Sequence, residues 1–163
     1  MSVTFEDTFS YEYGVDVNTG TTASPVWTPF KAPTGIDPQV TPVTTDRASY
    51  DDLGSPNESW TLGFSALAFR GSDGTYQPEI EKLMALTAPD VVGQAAVGHF
   101  RWYDKPATGT PNENDAFEGF ATVTLNRGST DNASGGSWSV TLTGKGRRKQ
   151  IVNPWEGWAP EVP

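Results

Sequence analysis

The chain has 163 residues, enough for one hydrophobic core and too few for two ordinary domains, so we expect a single domain over residues 1–163. It has no cysteine, which excludes disulfides and thiolate metal sites, and it has one histidine. A formal net charge of -9 makes most of its surface repel polyanions, which argues against sequence-specific nucleic-acid binding.

The composition indicates β structure. Seventeen Gly and 13 Pro predict many turns, while six Trp and an aromatic content of 12% supply large side chains for a core. The sequence lacks the run of about 18 apolar residues that a membrane helix needs. The N-terminal MSVTFEDTF also lacks the basic and apolar regions of a signal peptide, so we expect synthesis and folding in a cytoplasm without membrane insertion.

The first third of the chain is rich in turn-forming residues. Residues 9–17 alternate aromatic with smaller side chains and predict a strand, and PVWTPFKAP predicts a second one whose prolines place it at a sheet edge. Beyond it, Pro, Thr, Asp and Gly predominate. We predict a long inter-strand loop over residues 41–57, because connections of this length are usually disordered or functional.

Three later segments alternate with the period of a β-strand. Residues 59–69, SWTLGFSALAF, place large apolar side chains at every second position, and VGHFRWYDKP does the same with Phe100 and Trp102. From Phe117 to Gly146 two alternating runs flank a polar Gly-rich loop, which predicts a β-hairpin with Thr and Ser on its outer faces.

One helix is predicted, over residues 76–88. Pro78 fits the first helical position, Glu79 and Glu81 the first turn, and Pro89 the stop. The residues expected to pack on the sheet at helical spacing are Ile80, Leu83, Met84 and Thr87. Residues 150–163 are too Pro-rich for a regular element and predict an extended C-terminal arm.

We predict a protein that is not an enzyme and needs no cofactor or metal. His99 is a single histidine on a strand face, which is typical of a hydrogen-bonded structural residue. Asp51 and Asp52 lack the spacing of a calcium loop, and Glu79 and Glu81 fit the charge preference of a helix start. The GK at the end of the hairpin closes a strand and opens no helix, unlike a phosphate-binding loop.

Two non-enzymatic functions remain open. One is a carbohydrate-binding β-sandwich, in which exposed aromatic rings stack on sugars. The other is a self-assembling structural subunit. Four aromatic residues outside the strand alternation lie in Pro-rich arms and loops: Trp27, Tyr50, Trp155 and Trp158. Such positions suit anchors in a partner's groove better than a rigid sugar platform, which favours assembly.

The order of these features resembles the major tail proteins, or tail tube proteins, of long non-contractile tailed bacteriophages. The matching pieces are VWTPFKAPTGIDPQVTP, DRASYDDLG, WTLGFSALAF, PEIEKLMAL, GHFRWYDKP, FEGFATVTL and WSVTLTGKGRR, which together cover nearly the whole chain. The resemblance implies a mainly β fold, a β-sandwich or rolled barrel with one flanking α-helix. It also implies that six copies form a ring and that stacked rings form the tube through which DNA leaves the capsid.

The same resemblance implies the partners and the location. The protein would contact copies of itself, the tape measure protein, the tail terminator and the distal tail proteins. Phage DNA would pass through the lumen without sequence-specific binding, and the protein would reside in the virion tail.

We expect the loop and the C-terminal arm to carry contacts between subunits and rings, because neither suits the core. The basic cluster, defined as Lys145, Arg147, Arg148 and Lys149, should face an interface and pair with acids such as Asp51 and Asp52, since cations lining the channel would hold DNA phosphates. The candidate contact residues are Tyr50, Asp51, Asp52, Leu53, Lys145, Arg147, Arg148, Lys149, Trp155 and Trp158.

Overall fold

β-Strands are the main regular structure of the described chain. The computed structural model describes residues 3–9, 11–45, 54–128 and 135–158. Within them the elements are β1 (Tyr13–Asn18), β2 (Trp27–Pro29), β3 (Thr34–Thr45), β4 (Gly54–Leu67), α1 (Pro78–Leu86), β5 (Val97–Asp104), β6 (Ala116–Arg127), β7 (Ser137–Gly144) and β8 (Lys149–Gln150), with a 3-10 turn (Gly93–Ala96) before β5. The predicted mainly β fold with one α-helix is confirmed.

The strands form one antiparallel sheet in the order β2-β1-β5-β6-β7-β4-β3. β6 and β7 are the predicted hairpin, and they pair from Ala121 opposite Gly144 to Arg127 opposite Trp138. β8 pairs with the first half of β6, beyond the point where β7 ends. The two ends of this order, β2 and β3, are the edges of the sheet.

The sheet rolls up around its apolar face. β4 lies three strands from β5, which would separate them by about 14 Å in a flat sheet. The rings of Trp60 on β4 and Trp102 on β5 nevertheless lie 4.7 Å apart, measured between centroids. Phe30, just after edge strand β2, contacts Phe64 near the opposite edge at 4.8 Å. The fold is therefore the rolled form of the expected architecture.

Helix α1 covers the roll with a different face from the one predicted. Ile80 and Leu83 are fully buried as expected, but Met84 is 38% exposed and Glu79 is 1% exposed. Successive helical residues turn by about 100°, so a face centred between Glu79 and Ile80 takes in Leu83 and Leu86 and leaves Met84 outside. The predictions for Met84 and Thr87, both exposed, were wrong because the buried face includes Glu79, which was predicted only to suit the helix start by its charge.

The helix is also shorter than the predicted 76–88. Gln77 precedes it and uses its side-chain amide elsewhere: Nε2 donates to the Leu67 carbonyl at 2.6 Å, and Oε1 accepts the Phe69 N–H at 3.1 Å. At the other end, the Thr87 N–H donates to the Leu83 carbonyl and caps the last turn. Gln77 thereby joins the start of the helix to the end of β4.

The predicted loop over residues 41–57 is largely strand. β3 and β4 pair as far as Thr45 opposite Gly54, so only residues 46–53 of that loop lie beyond the ladder, and they fall outside the described residues. Pro38 and Pro42 had argued against a strand here. They are tolerated because β3 is an edge strand, whose outward-facing positions need no N–H for the ladder.

Two glycines make room for Trp60, one of the three tryptophans of the described core. The Trp60 indole lies over Gly119 of β6 and Gly144 of β7, and its Nε1 donates to the Gly146 carbonyl at 3.1 Å. A Cβ added at Gly119 would lie 2.7 Å from the ring, and one at Gly144 would overlap it more severely. Neither position therefore accepts a side chain without moving Trp60.

We predict that Gly144→Ala destabilises the protein by about 1–3 kcal/mol, because a well-packed core yields to an added methyl only by straining its neighbours. Gly63→Ala is the matched control, since Gly63 also lies in a central strand and nothing lies within 4 Å of an added Cβ there. That control should be neutral or slightly stabilising. Urea unfolding followed by tryptophan fluorescence measures both. Equal midpoints for the two variants would contradict the packing described for Trp60.

Candidate assembly surfaces

The predicted contact residues divide between two described surfaces and one segment outside them. Tyr50, Asp51, Asp52 and Leu53 lie outside the described residues, and so does any pairing of these acids with the basic cluster. The remaining candidates lie on the segment that joins β7 to β8 and on the C-terminal arm.

Arg148, a member of the basic cluster, forms an ion pair within its own chain. The Arg148 N–H donates to Glu58 Oε1 at 2.9 Å, and the Arg148 Nε lies 3.3 Å from the same oxygen. The Arg148 guanidinium also lies over the Phe117 ring, 4.1 Å from its centroid. Arg148 thus ties the turn after β7 to β4 and β6, whereas Lys145, Arg147 and Lys149 are exposed.

Lys149 makes a weaker contact within the chain. Its Nζ lies 3.8 Å from Glu118 Oε1, with the Lys149 side chain 77% exposed. An ion pair so open to water contributes little to stability. Arg148 and its partner Glu58 lie 90 residues apart, so no local sequence pattern predicts this pair.

The C-terminal arm builds one wall of a groove. The cavity has a volume of about 580 Å³. We call it the aromatic groove and define it by Tyr11, Tyr13, Phe30, Lys105, Trp155 and Trp158. Trp155 and Trp158 pack edge to face with their centroids 4.8 Å apart, and the Trp158 Nε1 donates to the Pro106 carbonyl at 3.2 Å.

A buried asparagine fixes the arm to the body. The Asn153 side-chain amide donates to the Asp104 carbonyl at 2.9 Å and to the Asn112 carbonyl at 3.1 Å, and its Oδ1 accepts the Trp155 N–H. Residues 151–158 have no regular secondary structure, whereas Gln150, the first residue of the predicted arm, belongs to β8. Asn153 holds the first part of the arm in one place.

A charged network lies beneath the aromatic groove. Asp16, 2% exposed, accepts from the Arg101 Nε at 2.7 Å and from the Tyr103 hydroxyl at 3.1 Å. Burial and the Asp16 carboxylate raise the pKa of Tyr103. Burial lowers the pKa of Lys105, whose ammonium lies 4.9 Å from the Trp158 ring and 5.7 Å from the Trp155 ring.

His99 has the structural role that its isolation in the sequence predicts. Its Nε2 lies 3.4 Å from Glu118 Oε2, and its Nδ1 lies 3.4 Å from the Asn18 side-chain amide, which donates to a neutral ring. The imidazole stacks on Phe120 and meets the edge of Trp27. Burial lowers the pKa of His99 from its ordinary 6.5, and Glu118 opposes that shift.

The described residues contain neither a cluster of metal ligands nor a helix able to span a membrane. Within residues 3–9, 11–45, 54–128 and 135–158, no group of three or more His, Asp or Glu is placed to hold a metal ion. No helix of the described chain has the length and apolar character to span a bilayer.

Comparison with known proteins gives a match in fold alone. No family model and no curated protein matches the sequence. Five chains of solved structures match, including one from the tail of an empty GTA particle, determined with helical refinement and C6 symmetry. The TM-score is 0.59 at 10% identity, covering 90% of this chain and 100% of that chain. The two proteins therefore share a fold.

Several residues of these surfaces were missed by sequence reasoning. Tyr11 and Lys105 line the aromatic groove from segments far apart in the sequence, so no local pattern joins them. The N-terminal residues Val3 and Phe5 are 76% and 92% exposed. Val3 and Phe5 alternate with Thr4 and Glu6, a pattern that indicates an extended segment with one apolar side. The prediction from sequence did not use this pattern.

We predict that Arg148→Glu destabilises the folded chain by about 2 kcal/mol, because it places a second carboxylate beside the poorly exposed Glu58 and removes the cation from Phe117. Lys149→Glu makes the same change in charge at an exposed position and should alter the free energy of unfolding by less than about 1 kcal/mol. Urea unfolding measures both. Equal effects would show that the Arg148–Glu58 contact contributes nothing to the fold.

We predict that His99 titrates below pH 6.5, and that Glu118→Gln lowers its pKa further by removing the carboxylate that opposes the shift. Because the folded pKa lies below the unfolded value, His99 contributes stability above pH 6.5 that is lost as the pH falls toward the folded pKa. The chain has one histidine, so a proton NMR titration reports it without assignment. A midpoint at or above 6.5 would overturn the described environment.

Proposed function

We propose that this protein is the major subunit of a phage tail tube, in which six copies form a ring and stacked rings enclose the channel for DNA ejection. The observation that carries the proposal is the likeness in fold, over 90% of this chain and all of the other, to a chain from a C6-symmetric tail. The role is structural and not enzymatic. It places the protein in the virion tail.

The open sheet supplies surfaces that a ring requires. β2 and β3 are the ends of the strand order, so each has one edge without a partner among the described strands. A closed ring needs contacts between two different surfaces of each subunit, repeated around the axis. Two opposite edges of one rolled sheet are a natural pair of such surfaces, because exposed strand edges readily bind other chains.

The outer faces of the central strands suit a channel for DNA. On β6 and β7 most of the exposed positions are polar and uncharged: Thr124, Asn126, Ser139, Thr141 and Thr143. Two exposed positions of β6 differ, the apolar Phe120 and Arg127, which donates to the Tyr76 hydroxyl. A net charge of -9 favours a lumen that repels phosphates. Arg148 and Lys149 pair with Glu58 and Glu118 of their own chain, which reduces their attraction for DNA.

We assign contacts between rings to residues 41–57, which include the ends of β3 and β4, and to the C-terminal arm from Trp155 onward. The arm presents Trp158, which is 49% exposed although it is large and apolar. The tape measure protein, the tail terminator and the distal tail proteins complete the proposed set of partners.

The carbohydrate-binding alternative gains no support from the aromatic groove. A sugar-binding platform presents flat ring faces, whereas Trp155 and Trp158 lie at 75° to each other and both lie against Lys105. A polysaccharide pull-down nevertheless provides the opposing outcome of the functional test.

We predict that purified protein polymerises at high concentration into tubes of uniform diameter. Negative-stain electron microscopy across a concentration series detects them, and sedimentation quantifies the assembled fraction. The expected result is a sharp rise in pelleted protein above a threshold concentration. A protein that stays monomeric at every concentration and is retained by a polysaccharide resin would overturn the proposal in favour of the carbohydrate-binding alternative.

A further inference from the structure

The N-terminal arm, defined as residues 3–9, exposes its apolar side chains. Phe5 is 92% exposed, Val3 76% and Phe9 61%, and the arm has no regular secondary structure. A single exposed apolar residue needs no explanation. Phe9 stacks on Tyr11 of its own chain, with the ring centroids 5.6 Å apart. Val3 and Phe5, one residue apart, have no such contact in the described structure and would gain free energy on burial.

The base of this arm is fixed in a turn. The Glu12 N–H donates to the Phe9 carbonyl at 2.9 Å, and the Phe9 N–H donates to Glu12 Oε2 at 2.8 Å. The Glu12 carboxylate also accepts the Ala107 N–H, which ties the turn to the segment after β5. The arm therefore starts from a defined point on the body, next to Tyr11 of the aromatic groove.

The aromatic groove has the complementary chemistry. Its walls are aromatic and its volume of about 580 Å³ lies within the range of ordinary ligand pockets. Lys105 brings a positive charge into it. The Asp16 carboxylate also lines the groove and attracts Lys105, but it accepts from Arg101 and Tyr103, and no carboxylate of the described residues lies within ion-pair distance of the Lys105 ammonium. Burial lowers the pKa of this lysine, so an arriving carboxylate would relieve an unfavourable desolvated charge.

We propose that the N-terminal arm of a second copy of this chain occupies the aromatic groove, with Phe5 as its anchor and Glu6 or Asp7 beside Lys105. The arm carries two carboxylates and no basic side chain, so its charge complements the groove. The inference rests on the proposed function for the second copy, since assembly brings subunits together at high local concentration.

A second copy fits better than the arm of the same chain. The arm leaves its own body through the turn at Phe9 and Glu12, and in that arrangement Val3 and Phe5 remain outside the groove. A contact between the arm of one copy and the groove of the next joins two different surfaces. Each pair of copies still has one arm and one groove without a partner, so the contact can repeat from copy to copy and does not end in a closed dimer.

The absence of cysteine allows a direct test by disulfide cross-linking. One protein carries Thr4→Cys, which keeps the proposed anchor Phe5 beside the new thiol. The other carries Ala32→Cys, at a groove-lining position where one L-residue replaces another at a φ of 47°. The two are mixed, assembled, oxidised, and separated into pelleted and soluble fractions. Thr4→Cys mixed with Val92→Cys is the matched control, because Val92 is 76% exposed and does not line the groove.

We expect a covalent dimer in the pelleted fraction of the Thr4/Ala32 mixture, at several times the yield of the control. Tubes that pellet normally without this dimer would overturn the arm contact and leave the proposed function standing. A double variant that links Thr4→Cys to Ala32→Cys within one monomer would also overturn it, because the arm would then occupy its own groove.

A peptide titration decides the outcome if no tubes form. The peptide SVTFEDTF is added to dilute full-length protein, and binding is followed by the change in tryptophan fluorescence, to which Trp155 and Trp158 in the groove contribute among the six tryptophans. We expect Phe5→Ala in the peptide to weaken binding about tenfold or more, since a buried phenylalanine ring is lost. Saturable binding with that loss would support the inference even though the proposed function had failed. An unchanged fluorescence signal would overturn the inference together with it.

Discussion

The packing of Trp60 across the sheet is the interaction on which the rest of the structure depends. A sheet that rolls must fill its interior from one face of every strand, and the indole of Trp60 reaches Trp102 on a strand three positions away. It reaches that far because Gly119 and Gly144 have no side chain beneath it. The close approach of Trp60 to these two strands therefore depends on both glycines.

The curvature determines what remains for assembly. Because the sheet rolls without closing among the described strands, β2 and β3 stay as edges, and Pro38 and Pro42 reduce the donors along the outer side of β3. Such an edge resists indiscriminate pairing with other strands. Specific contacts then fall to side chains and arms, and the apolar N-terminal arm and the aromatic groove provide two complementary surfaces. In the proposed tube, both edge and arm contacts would join different surfaces of neighbouring subunits.

The strands with period-two alternation were predictable from sequence, and the contacts between distant segments were not. β5, β6 and β7 follow their alternation, and Trp138, Val140 and Leu142 are buried as it requires. β3 was missed because its prolines read as a loop, and only its position at the edge makes them acceptable. Among the candidate contacts, the place of Trp155 and Trp158 in an arm was visible. The pairing of Arg148 with Glu58, and the meeting of Tyr11 with Lys105, depend on the tertiary fold.

The central claim is that this rolled sheet is the repeating unit of a sixfold tube. Cryo-electron microscopy of assembled protein tests it most directly, through the rotational symmetry of end-on views and of the helical reconstruction. The account predicts six subunits around each ring, with the Thr- and Ser-bearing faces of β6 and β7 toward an open channel. Assemblies without a channel, or with strands β6 and β7 on the outer surface, would contradict it.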